Sequence, residues 1–569
     1  MNDITKQDDN KANSFRLVVI ICSIITSIFA ITMFSFLLYF VIAKKTYIGL
    51  LIAVSVVCLV ICSVFLTQTI KSFQIKKLGV TQLKKVEKLA IVFGILLIII
   101  FPVGGYSLFA FGGEVNIQKT YFWNDGPWLT YGENPTTDMS ISWLTRFARK
   151  TSIQFGTSPE NMETITSPSA KTHLHHILLT GLQPNTIYYY SLGIKTSTFP
   201  TNAVFSFKTA PDVNEAFKVI IVGDMQPGPG KLLHAGDLVA KGIVAENPDF
   251  VIQLGDLAID GGFPIFWHYT AQNFPQYAAT APFQIAVGNH DYGGAGLGAH
   301  NFRNAFPHPY ESDSGLYYSF DYASAHFIMI DNFDAGGYTM TDVQKIWVEQ
   351  DIIDAQTRGQ DWIFINFHHT MFTTGTSSQN IAVQSWLAPL AEKYNVDGVF
   401  FGHDHHYEHW NYTYGSMGLL YSEFDTPSGN NTQYWCTGGG GAKLEVDYGV
   451  LKHDVWTDTR TFYNVTAGTY QDIEFYRSPW NASRVVNSPE HQIYAASVSD
   501  GLYYHAPNLE SYSTDNELYG YMYGEQTRHY MKIEMNADGT LCTISAHYPN
   551  GDLITGPFGN YPQIWTFSK

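Results

Sequence analysis

The sequence has few cysteines and few charged residues for its length. Only 5 of its 569 residues are Cys, which excludes a fold held together by a disulfide framework. Two of them, Cys436 and Cys542, lie outside the apolar N-terminal segments, where one disulfide and two free thiols are equally compatible with the sequence. Charged residues make up 15% of the chain and hydrophobic residues 45%, which excludes a disordered chain and allows a large core.

Basic residues are scarce in most of the chain. Residues 1–111 contain 11 Lys and Arg against 4 Asp and Glu, whereas residues 112–569 contain 22 against 46. An acidic excess of this size repels phosphate backbones and anionic surfaces. The sequence therefore excludes nucleic acid as the main partner.

Three long segments near the N-terminus contain no charged residue: Leu17–Ala43, Ile48–Ile70 and Leu89–Phe111. Each is long enough to cross ~30 Å of hydrocarbon as a helix. The first is followed by no small-residue cleavage site before the next segment, which favours a retained span over a signal peptide. The sequence therefore predicts three transmembrane helices within residues 16–111, after a cytosolic tail at 1–15; buried helices of a soluble protein are the alternative.

The loops between these segments predict the orientation of the protein. Six lysines lie in Lys71–Lys88, between the second and third spans, and only Lys44 and Lys45 lie between the first and second. The positive-inside rule then places residues after the third span outside the cell or in an organelle lumen. That part contains four predicted N-glycosylation sites: Asn411, Asn430, Asn464 and Asn481.

Two folded domains and an extension are predicted after the membrane segment. Residues 121–211 contain short alternating runs about ten residues apart, which indicates an all-β sandwich. In residues 216–450, buried strand-like runs alternate with helix-like stretches, which is typical of an α/β domain with layered sheets flanked by helices. Residues 451–569 are assigned to closing strands and loops, with a hairpin around Asp538-Gly539.

Five short motifs rich in Asp, Asn and His each follow a predicted strand. They are Gly223-Asp224-Met225-Gln226, Gly255-Asp256-Leu257-Ala258-Ile259, Gly288-Asn289-His290-Asp291, Phe367-His368-His369 and Gly402-His403-Asp404-His405-His406. Loops at the carboxyl ends of strands form ligand sites in layered α/β domains. Oxygen and imidazole donors without thiolates suit two first-row metal ions, and Asp256 is the natural carboxylate bridge between them.

The order of these motifs resembles that of the calcineurin-like metallophosphoesterase superfamily. The preceding domain, in which Leu178–Tyr190 resembles a strand pair of fibronectin type III-like domains, and the run Thr437–Ala442 resemble purple acid phosphatases within it. The resemblance covers roughly residues 125–450. It implies a phosphoesterase fold and a centre of two metal ions, with Fe, Mn and Zn as the candidates.

The resemblance also implies a role for each motif residue. One metal ion would be held by Asp224, Asp256 and His405, and the other by Asp256, Asn289, His368 and His403. His290 would contact phosphate and assist the leaving group, with Asn289 beside it in the substrate site. For Asp291, orientation of His290 and a turn-forming role are equal alternatives, and for His369 a place in the substrate pocket and a structural role are equal alternatives.

Two positions depart from the family pattern. Purple acid phosphatases have an iron-binding tyrosine where this chain has Ile259, and many other members have a histidine where it has Gln226. The amide oxygen of Gln226 is a candidate ligand, and a colourless centre of divalent ions is expected.

The sequence thus favours a membrane-anchored phosphoesterase that hydrolyses phosphate monoesters of small molecules by attack of water activated at the metals, as acid phosphatases do. The same centre serves phosphodiesterases and nucleotide hydrolases, because specificity lies in the surrounding loops. A binding or adhesion protein with a degraded site is the alternative from another class.

Overall fold

A computed structural model describes residues 116–227, 232–293, 299–311, 315–334, 338–373, 380–411, 432–442, 456–464, 469–477, 521–525, 528–554 and 562–569. The chain divides into two units, Met1–Gly113 and Glu114–Lys569, and every described element belongs to the second. The three predicted spans lie outside the described residues. Among the helices described, none combines the length and the hydrophobicity that a membrane crossing requires.

The first module is a sandwich of two antiparallel sheets. Its strands are β1 (Asp125–Tyr131), β2 (Met139–Arg149), β3 (Ser152–Gly156), β4 (Glu163–Thr166), β5 (Thr172–Leu179), β6 (Ile187–Ser191) and β7 (Phe205–Lys208). One sheet has the order β1-β2-β5 and the other β4-β3-β6-β7. Alternating side chains such as Ile141, Trp143, Tyr188 and Tyr190 are buried between them, as the period-two pattern predicts.

The second module carries helices and strands in alternation. Its elements are β8 (Phe217–Val222), α1 (Leu232–Glu246), β9 (Phe250–Gln253), α2 (Pro264–Thr270), α3 (Pro275–Ala278), β10 (Phe283–Ile285), α4 (His300–Ala305), β11 (Tyr318–Tyr322), β12 (Ala325–Met329), α5 (Asp342–Arg358), β13 (Trp362–Phe367), α6 (Ile381–Lys393), β14 (Gly398–Phe401), β15 (Tyr407–Asn411) and β16 (Gln433–Thr437). Thr341 caps α5 by accepting a hydrogen bond from the Gln344 amide, and Gly359 ends it in a left-handed conformation.

The remaining strands belong to the C-terminal extension. They are β17 (Trp456–Asn464), β18 (Thr469–Arg477), β19 (Tyr521–Glu525), β20 (Tyr530–Met535), β21 (Leu541–His547) and β22 (Ile564–Ser568). The hairpin β20–β21 joins β8, with Lys532 opposite Ile220, and completes a six-stranded sheet of order β10-β9-β8-β20-β21-β22.

A seven-stranded sheet of order β11-β12-β13-β14-β16-β15-β19 packs against this six-stranded sheet. Aromatic side chains meet between them, with the Phe250 ring centroid 5.2 Å from that of Phe327 and 5.6 Å from that of Phe320. On the outer faces, Val239 and Ile243 of α1 pack on the six-stranded sheet and Ile352 of α5 packs on the seven-stranded one. Helices therefore cover both sheets, which forms the layered α/β arrangement.

The parallel strands bring the five motifs together. β8, β9 and β10 run parallel in one sheet, and β12, β13, β14 and β16 run parallel in the other. Each motif follows the carboxyl end of one of these strands, so the motif loops of each sheet lie at one edge.

The two candidate disulfide cysteines are separate, buried free thiols in this structure. Cys436 lies on β16 and Cys542 on β21, in different sheets. Of the four predicted glycosylation sites, Asn411 ends β15 and Asn464 ends β17, whereas Asn430 and Asn481 lie outside the described residues.

Candidate metal centre

Three of the motif residues have a backbone conformation that residues other than glycine rarely adopt. Asp224, Asp256 and His403 have φ angles of +57°, +53° and +71° in the turns that follow β8, β9 and β14. Such conformations cost roughly 1–3 kcal/mol each and persist only where the surroundings hold them in place. One such contact joins two of the turns, because the His403 amide donates to Asp224 Oδ2 at 2.8 Å.

Close backbone approach explains two of the motif glycines. A Cβ on Gly288 would overlap the amide nitrogen and Oδ1 of Asp256, and a Cβ on Gly402 would overlap Asp224 Oδ2. Glycine at these positions lets the loops approach to within contact of the two aspartates.

Asp256, His368 and His403 bring one donor atom each to the same place. The three donor atoms lie within 4.8 Å of one another. Asp256 Oδ2 is 3.2 Å from His368 Nε2, and His368 Nε2 is 3.3 Å from His403 Nδ1. These residues come from three motifs on both sheets, and a carboxylate and two imidazoles form a common ligand set for first-row metal ions.

Asn289 completes this group. Its Oδ1 lies 3.0 Å from His368 Nε2 and 3.0 Å from His403 Nδ1. All four residues that the resemblance assigns to the second metal ion, Asp256, Asn289, His368 and His403, are therefore in direct contact.

The orientation of His368 leaves one nitrogen for the site. Its Nδ1–H donates to the Leu254 carbonyl at 2.7 Å, so Nε2 faces Asp256 and Asn289. Metal-binding histidines usually donate their other N–H to such an acceptor, which fixes the tautomer. Burial lowers the pKa of His368, but the carboxylates of Asp256 and Asp224 outweigh burial and raise it to about 9.

The pKa values of Asp224 and Asp256 shift in opposite directions. Burial raises the pKa of Asp224 above its ordinary value. Burial also acts on Asp256, but the nearby His368 and His290 outweigh it and lower the pKa of Asp256. Asp256 is therefore the carboxylate that remains ionised most readily.

The residues assigned to the first metal ion lie around Asp224. His405 Nε2 is 3.4 Å from Asp224 Oδ1, and the Gln226 side chain donates from Nε2 to Asp256 Oδ2 at 3.1 Å. Among the described residues, Asp224 Oδ1 and Gln226 Oε1 are buried and have no hydrogen bond of good geometry. Two oxygens of this kind suit a bound cation, because an unpaired buried acceptor is costly.

The chemistry of the donor set thus fits a pair of metal ions. Imidazole nitrogens and carboxylate oxygens converge, and the amide oxygen of Gln226 has no hydrogen-bond donor among the described residues. Asp256 contacts both groups, because it lies beside His368 on one side and Gln226 on the other.

His290 lies at the edge of this group and is open to solvent. Its side chain is 45% exposed, and Nε2 is 3.8 Å from Asp256 Oδ2. Its Nδ1–H donates to the Ile259 carbonyl at 2.7 Å. The main chain of Ile259, at the position where the family tyrosine is missing, thus orients the ring so that Nε2 faces the site.

Asp291 does not contact the His290 ring. Its Oδ1 accepts hydrogen bonds from the Leu257 and Ala258 amides, and Oδ2 accepts one from Gly288, each at 3.0 Å. Burial and the neighbouring Asp256 raise the pKa of Asp291 to about 7. This placement favours the turn-forming role over the orientation of His290, because Asp291 ties the loop after β10 to the loop after β9.

His369 lies beside the metal-binding residues. Its ring centroid is 4.2 Å from that of His403, and only 6% of the residue is exposed. Burial lowers its pKa to about 4, so it is neutral near neutral pH. Within the described part of the chain, its Nδ1 has no hydrogen-bond partner.

Residues after β12 also reach the site, which the sequence reasoning missed. Asn332 brackets His369, with its Nδ2 3.3 Å from the His369 carbonyl and its Oδ1 3.5 Å from the His369 amide. The ring of Phe333 is 6.1 Å from His368, and that of Tyr338 is 4.5 Å from His369. The signal was present, because Asp331-Asn332 follows a buried strand just as the five motifs do.

Two known families match the chain, one in the second module and one in the β-sandwich. Residues 217–407 match the calcineurin-like phosphoesterase family, and residues 125–209 match the N-terminal domain of purple acid phosphatases. The first match contains all five motifs, and the second contains the strands of the β-sandwich.

Two plant proteins illustrate the similarity in sequence. Purple acid phosphatase 15 of Arabidopsis thaliana is 25% identical over 274 residues, which cover 42% of this chain and 50% of that protein. Probable inactive purple acid phosphatase 27 of the same plant is 28% identical over 272 residues, or 41% of this chain and 43% of that protein. The chain thus spans about half the length of these curated relatives.

A solved structure shares the fold. The purple acid phosphatase PPD1 from yellow lupin seeds superposes with a TM-score of 0.52 at 17% identity, over 80% of this chain and 75% of that chain. At this identity the likeness shows the fold alone.

Proposed function

We propose that this chain, which combines a purple acid phosphatase N-terminal domain with a calcineurin-like phosphoesterase domain, hydrolyses phosphate monoesters of small molecules at a centre of two metal ions. The observation that carries the proposal is the convergence of Asp256, His368 and His403 within 4.8 Å. The family matches and the relatives named as phosphatases support the same reaction class.

Seven residues would hold the two metal ions. Asp256, Asn289, His368 and His403 would hold one, and Asp224, Asp256, His405 and the amide oxygen of Gln226 would hold the other. Bound cations supply neutralisation of phosphate charge and water of lowered pKa.

The chain's own residues would bind the substrate and move a proton. His290 Nε2 faces the site from its solvent-exposed edge, which lets it contact the phosphate and give a proton to the leaving oxygen. The Ile259 carbonyl holds the ring in this orientation through Nδ1. The neutral His369 borders the same space and would contact the substrate without adding charge.

The metals are proposed to be divalent ions of Fe, Mn or Zn, and the protein to be colourless. Ile259 offers no phenolate, and no thiolate lies among the proposed ligands, so the charge-transfer band of a tyrosinate–iron centre is not expected. A purified sample with a strong visible band of that kind would contradict this assignment.

We further propose that three N-terminal helices anchor the protein and that the catalytic domain faces the cell exterior or an organelle lumen. The three uncharged segments within residues 17–111 and the lysines of Lys71–Lys88 support this orientation. Glycosylation of Asn411, Asn430, Asn464 or Asn481 is expected in cells. Unglycosylated sites together with protease cleavage of Lys71–Lys88 from outside would show the opposite orientation.

The experiment that tests the function compares substrates. The purified full-length chain is assayed with p-nitrophenyl phosphate, bis-p-nitrophenyl phosphate and a nucleotide, with added Mn, Zn or Fe and across pH. Preference for the monoester is expected, and a His290→Ala variant is expected to lose roughly 10²-fold in kcat/KM because it lacks the proton donor.

Other outcomes would select the alternatives. Preference for the bis-ester or the nucleotide would favour a phosphodiesterase or nucleotide hydrolase. Tight metal binding without turnover of any ester would favour a binding protein, a role that the similarity to a relative named as probably inactive keeps in view.

A further inference from the structure

Tyr338 combines solvent exposure with an unusual backbone conformation. It is 44% exposed, and its φ angle is +62°. A bulky residue at positive φ is an outlier, and such strain concentrates at ligand-binding sites. Exposed aromatic residues are common on protein surfaces, but this backbone conformation requires a separate explanation.

A hydrogen bond from the N-terminal end of α6 holds the backbone of Tyr338 in place. Asn380 Nδ2 donates to the Tyr338 carbonyl at 2.6 Å. The same side chain caps α6, because Asn380 Oδ1 accepts from the Val383 amide at 3.1 Å. Tyr338 is therefore fastened to the start of a helix and positioned independently of its own side chain.

The ring of Tyr338 lies over the edge of the metal-binding residues. Its centroid is 4.5 Å from that of His369 and 6.2 Å from that of His403. The Phe333 ring centroid is 5.1 Å from that of Tyr338 and 6.1 Å from that of His368. We name Phe333 and Tyr338 together the aromatic wall.

The position of the aromatic wall suits the part of a substrate next to the phosphate. A phosphate held by His290 and the proposed metal ligands would direct its ester substituent out of the buried centre. The Tyr338 ring contacts the His369 ring, which in turn contacts the His403 ring. Tyr338 is also exposed to solvent, so it connects the buried centre to the surface. A planar group there would stack on the ring, because aromatic pairs favour centroid separations of about 4.5–7 Å.

We propose that the aromatic wall selects phosphate monoesters whose leaving group is a planar aromatic ring, with Tyr338 as the stacking residue. The proposal rests on the phosphatase function proposed above and specifies its substrate class. The His369 ring, 4.5 Å from that of Tyr338, adds a second flat surface.

The kinetic test compares an aromatic with an aliphatic monoester. Values of kcat/KM are measured for 1-naphthyl phosphate and glycerol 2-phosphate with the full-length chain and with Tyr338→Ala and Tyr338→Phe. We expect Tyr338→Ala to lose about tenfold on the naphthyl ester and less than about twofold on the glycerol ester, in line with stacking on an aromatic side chain. Tyr338→Phe keeps the ring and is expected to stay within about threefold of wild type on both esters.

A matched control uses an aromatic residue far from the site. Phe147 on the β-sandwich is 61% exposed, and Phe147→Ala is expected to leave both kcat/KM values unchanged. Equal losses on both esters in Tyr338→Ala would overturn the proposal, because they would indicate a structural role.

A binding measurement separates this inference from the proposed function. Titration calorimetry with 1-naphthylmethylphosphonate and methylphosphonate requires no turnover. Weaker binding of only the naphthyl compound to Tyr338→Ala supports the aromatic wall even if no ester is hydrolysed, in which case the proposed function alone fails. If wild type is active and Tyr338→Ala discriminates between the two phosphonates as wild type does, the proposal for the aromatic wall is wrong. The proposed function would then still hold.

Discussion

Two buried histidines on neighbouring strands of the seven-stranded sheet have opposite surroundings. His326 on β12 donates from both ring nitrogens, to Asp321 Oδ1 at 2.6 Å and to Asp351 Oδ2 at 2.9 Å. His368, directly after β13, donates from Nδ1 to the Leu254 carbonyl, and its Nε2 lies 3.0 Å from Asn289 Oδ1 and 3.3 Å from Nδ1 of His403. Both nitrogens of His326 are thus used in hydrogen bonds with its own carboxylate partners. Around His368, in contrast, several atoms that can bind a metal ion converge on one point.

The comparison of His326 with His368 shows which features distinguish a candidate metal site from a cluster that only supports the fold. Both histidines are fully buried beside carboxylates, and the pKa of each is raised by those carboxylates although burial lowers it. A raised pKa alone therefore does not distinguish them. Convergence of metal-binding atoms from three motifs and the positive φ angles of Asp256 and His403 distinguish the cluster around His368.

The largest expected difference in activity is between the glutamine variants of the two histidines. His368→Gln should lower kcat/KM for p-nitrophenyl phosphate by roughly 10³-fold, because it removes a proposed metal ligand from the group that stabilises charge. His326→Gln should stay within about threefold of wild type, since His326 lies under α5 and away from the motifs. Steady-state kinetics with excess metal measure both, and equal losses in the two variants would break the comparison.

Adding a side chain at Gly288 should lower the activity of the same site by a smaller factor. Gly288→Ala places a Cβ against the amide and Oδ1 of Asp256 and displaces that carboxylate. A misplacement of about 1 Å costs roughly 10²-fold in rate. Gly193→Ala is the control, because Gly193 has a φ of +64° and no atom lies within 4 Å of a Cβ at this position. Wild-type activity in Gly288→Ala would show that the Asp256 position is not critical.

The hydrogen bonds of His326 to Asp321 and Asp351 are expected to affect the stability of the protein rather than its reaction rate. His326→Gln removes the charged donor that the partly buried Asp321 and Asp351 share, and we expect it to lower the free energy of unfolding by roughly 1–3 kcal/mol. Urea denaturation followed by fluorescence measures this change. A variant as stable as wild type would show that the pairing of His326 is incidental.

The pH dependence of this loss follows from the direction of the pKa shift. The pKa of His326 in the folded chain lies above its ordinary value of 6.5, because hydrogen bonds to Asp321 and Asp351 outweigh burial. Its stabilisation is therefore complete below about pH 6.5 and is lost as pH rises through the folded pKa. The stability difference between wild type and His326→Gln should be larger at about pH 6 than at about pH 9. A difference that grows with pH would contradict the assignment of a charged ring.

Much of the fold and the candidate site follows from local sequence patterns. Buried runs such as Trp362–Asn366 predict strands, and a polar motif directly after each strand predicts that Asp256 and His368 lie in ligand loops at the carboxyl ends of strands. These predictions depend on features that neighbouring residues determine. The membrane topology and the glycosylation sites stay predictions.

Features that depend on distant contacts did not follow from the sequence. Asp291 directs its carboxylate at backbone amides of another loop, which no local pattern specifies. The backbone of Tyr338, which lies beside His369, is held by Asn380, 42 residues later in the chain. His326 pairs with Asp351 from α5, 25 residues away, so its sequence neighbours do not distinguish it from His368.

The most direct test of the proposed centre measures metal content and turnover together. Full-length wild type, Asp256→Asn and His326→Gln are purified in parallel, and bound metal per chain is determined by mass spectrometry alongside hydrolysis of p-nitrophenyl phosphate. Wild type and His326→Gln should each bind two metal ions and hydrolyse the ester, whereas Asp256→Asn should lose at least one ion and roughly 10³-fold in kcat/KM. Full metal content and activity in Asp256→Asn would contradict the assignment of Asp256 as the carboxylate shared by both metal ions.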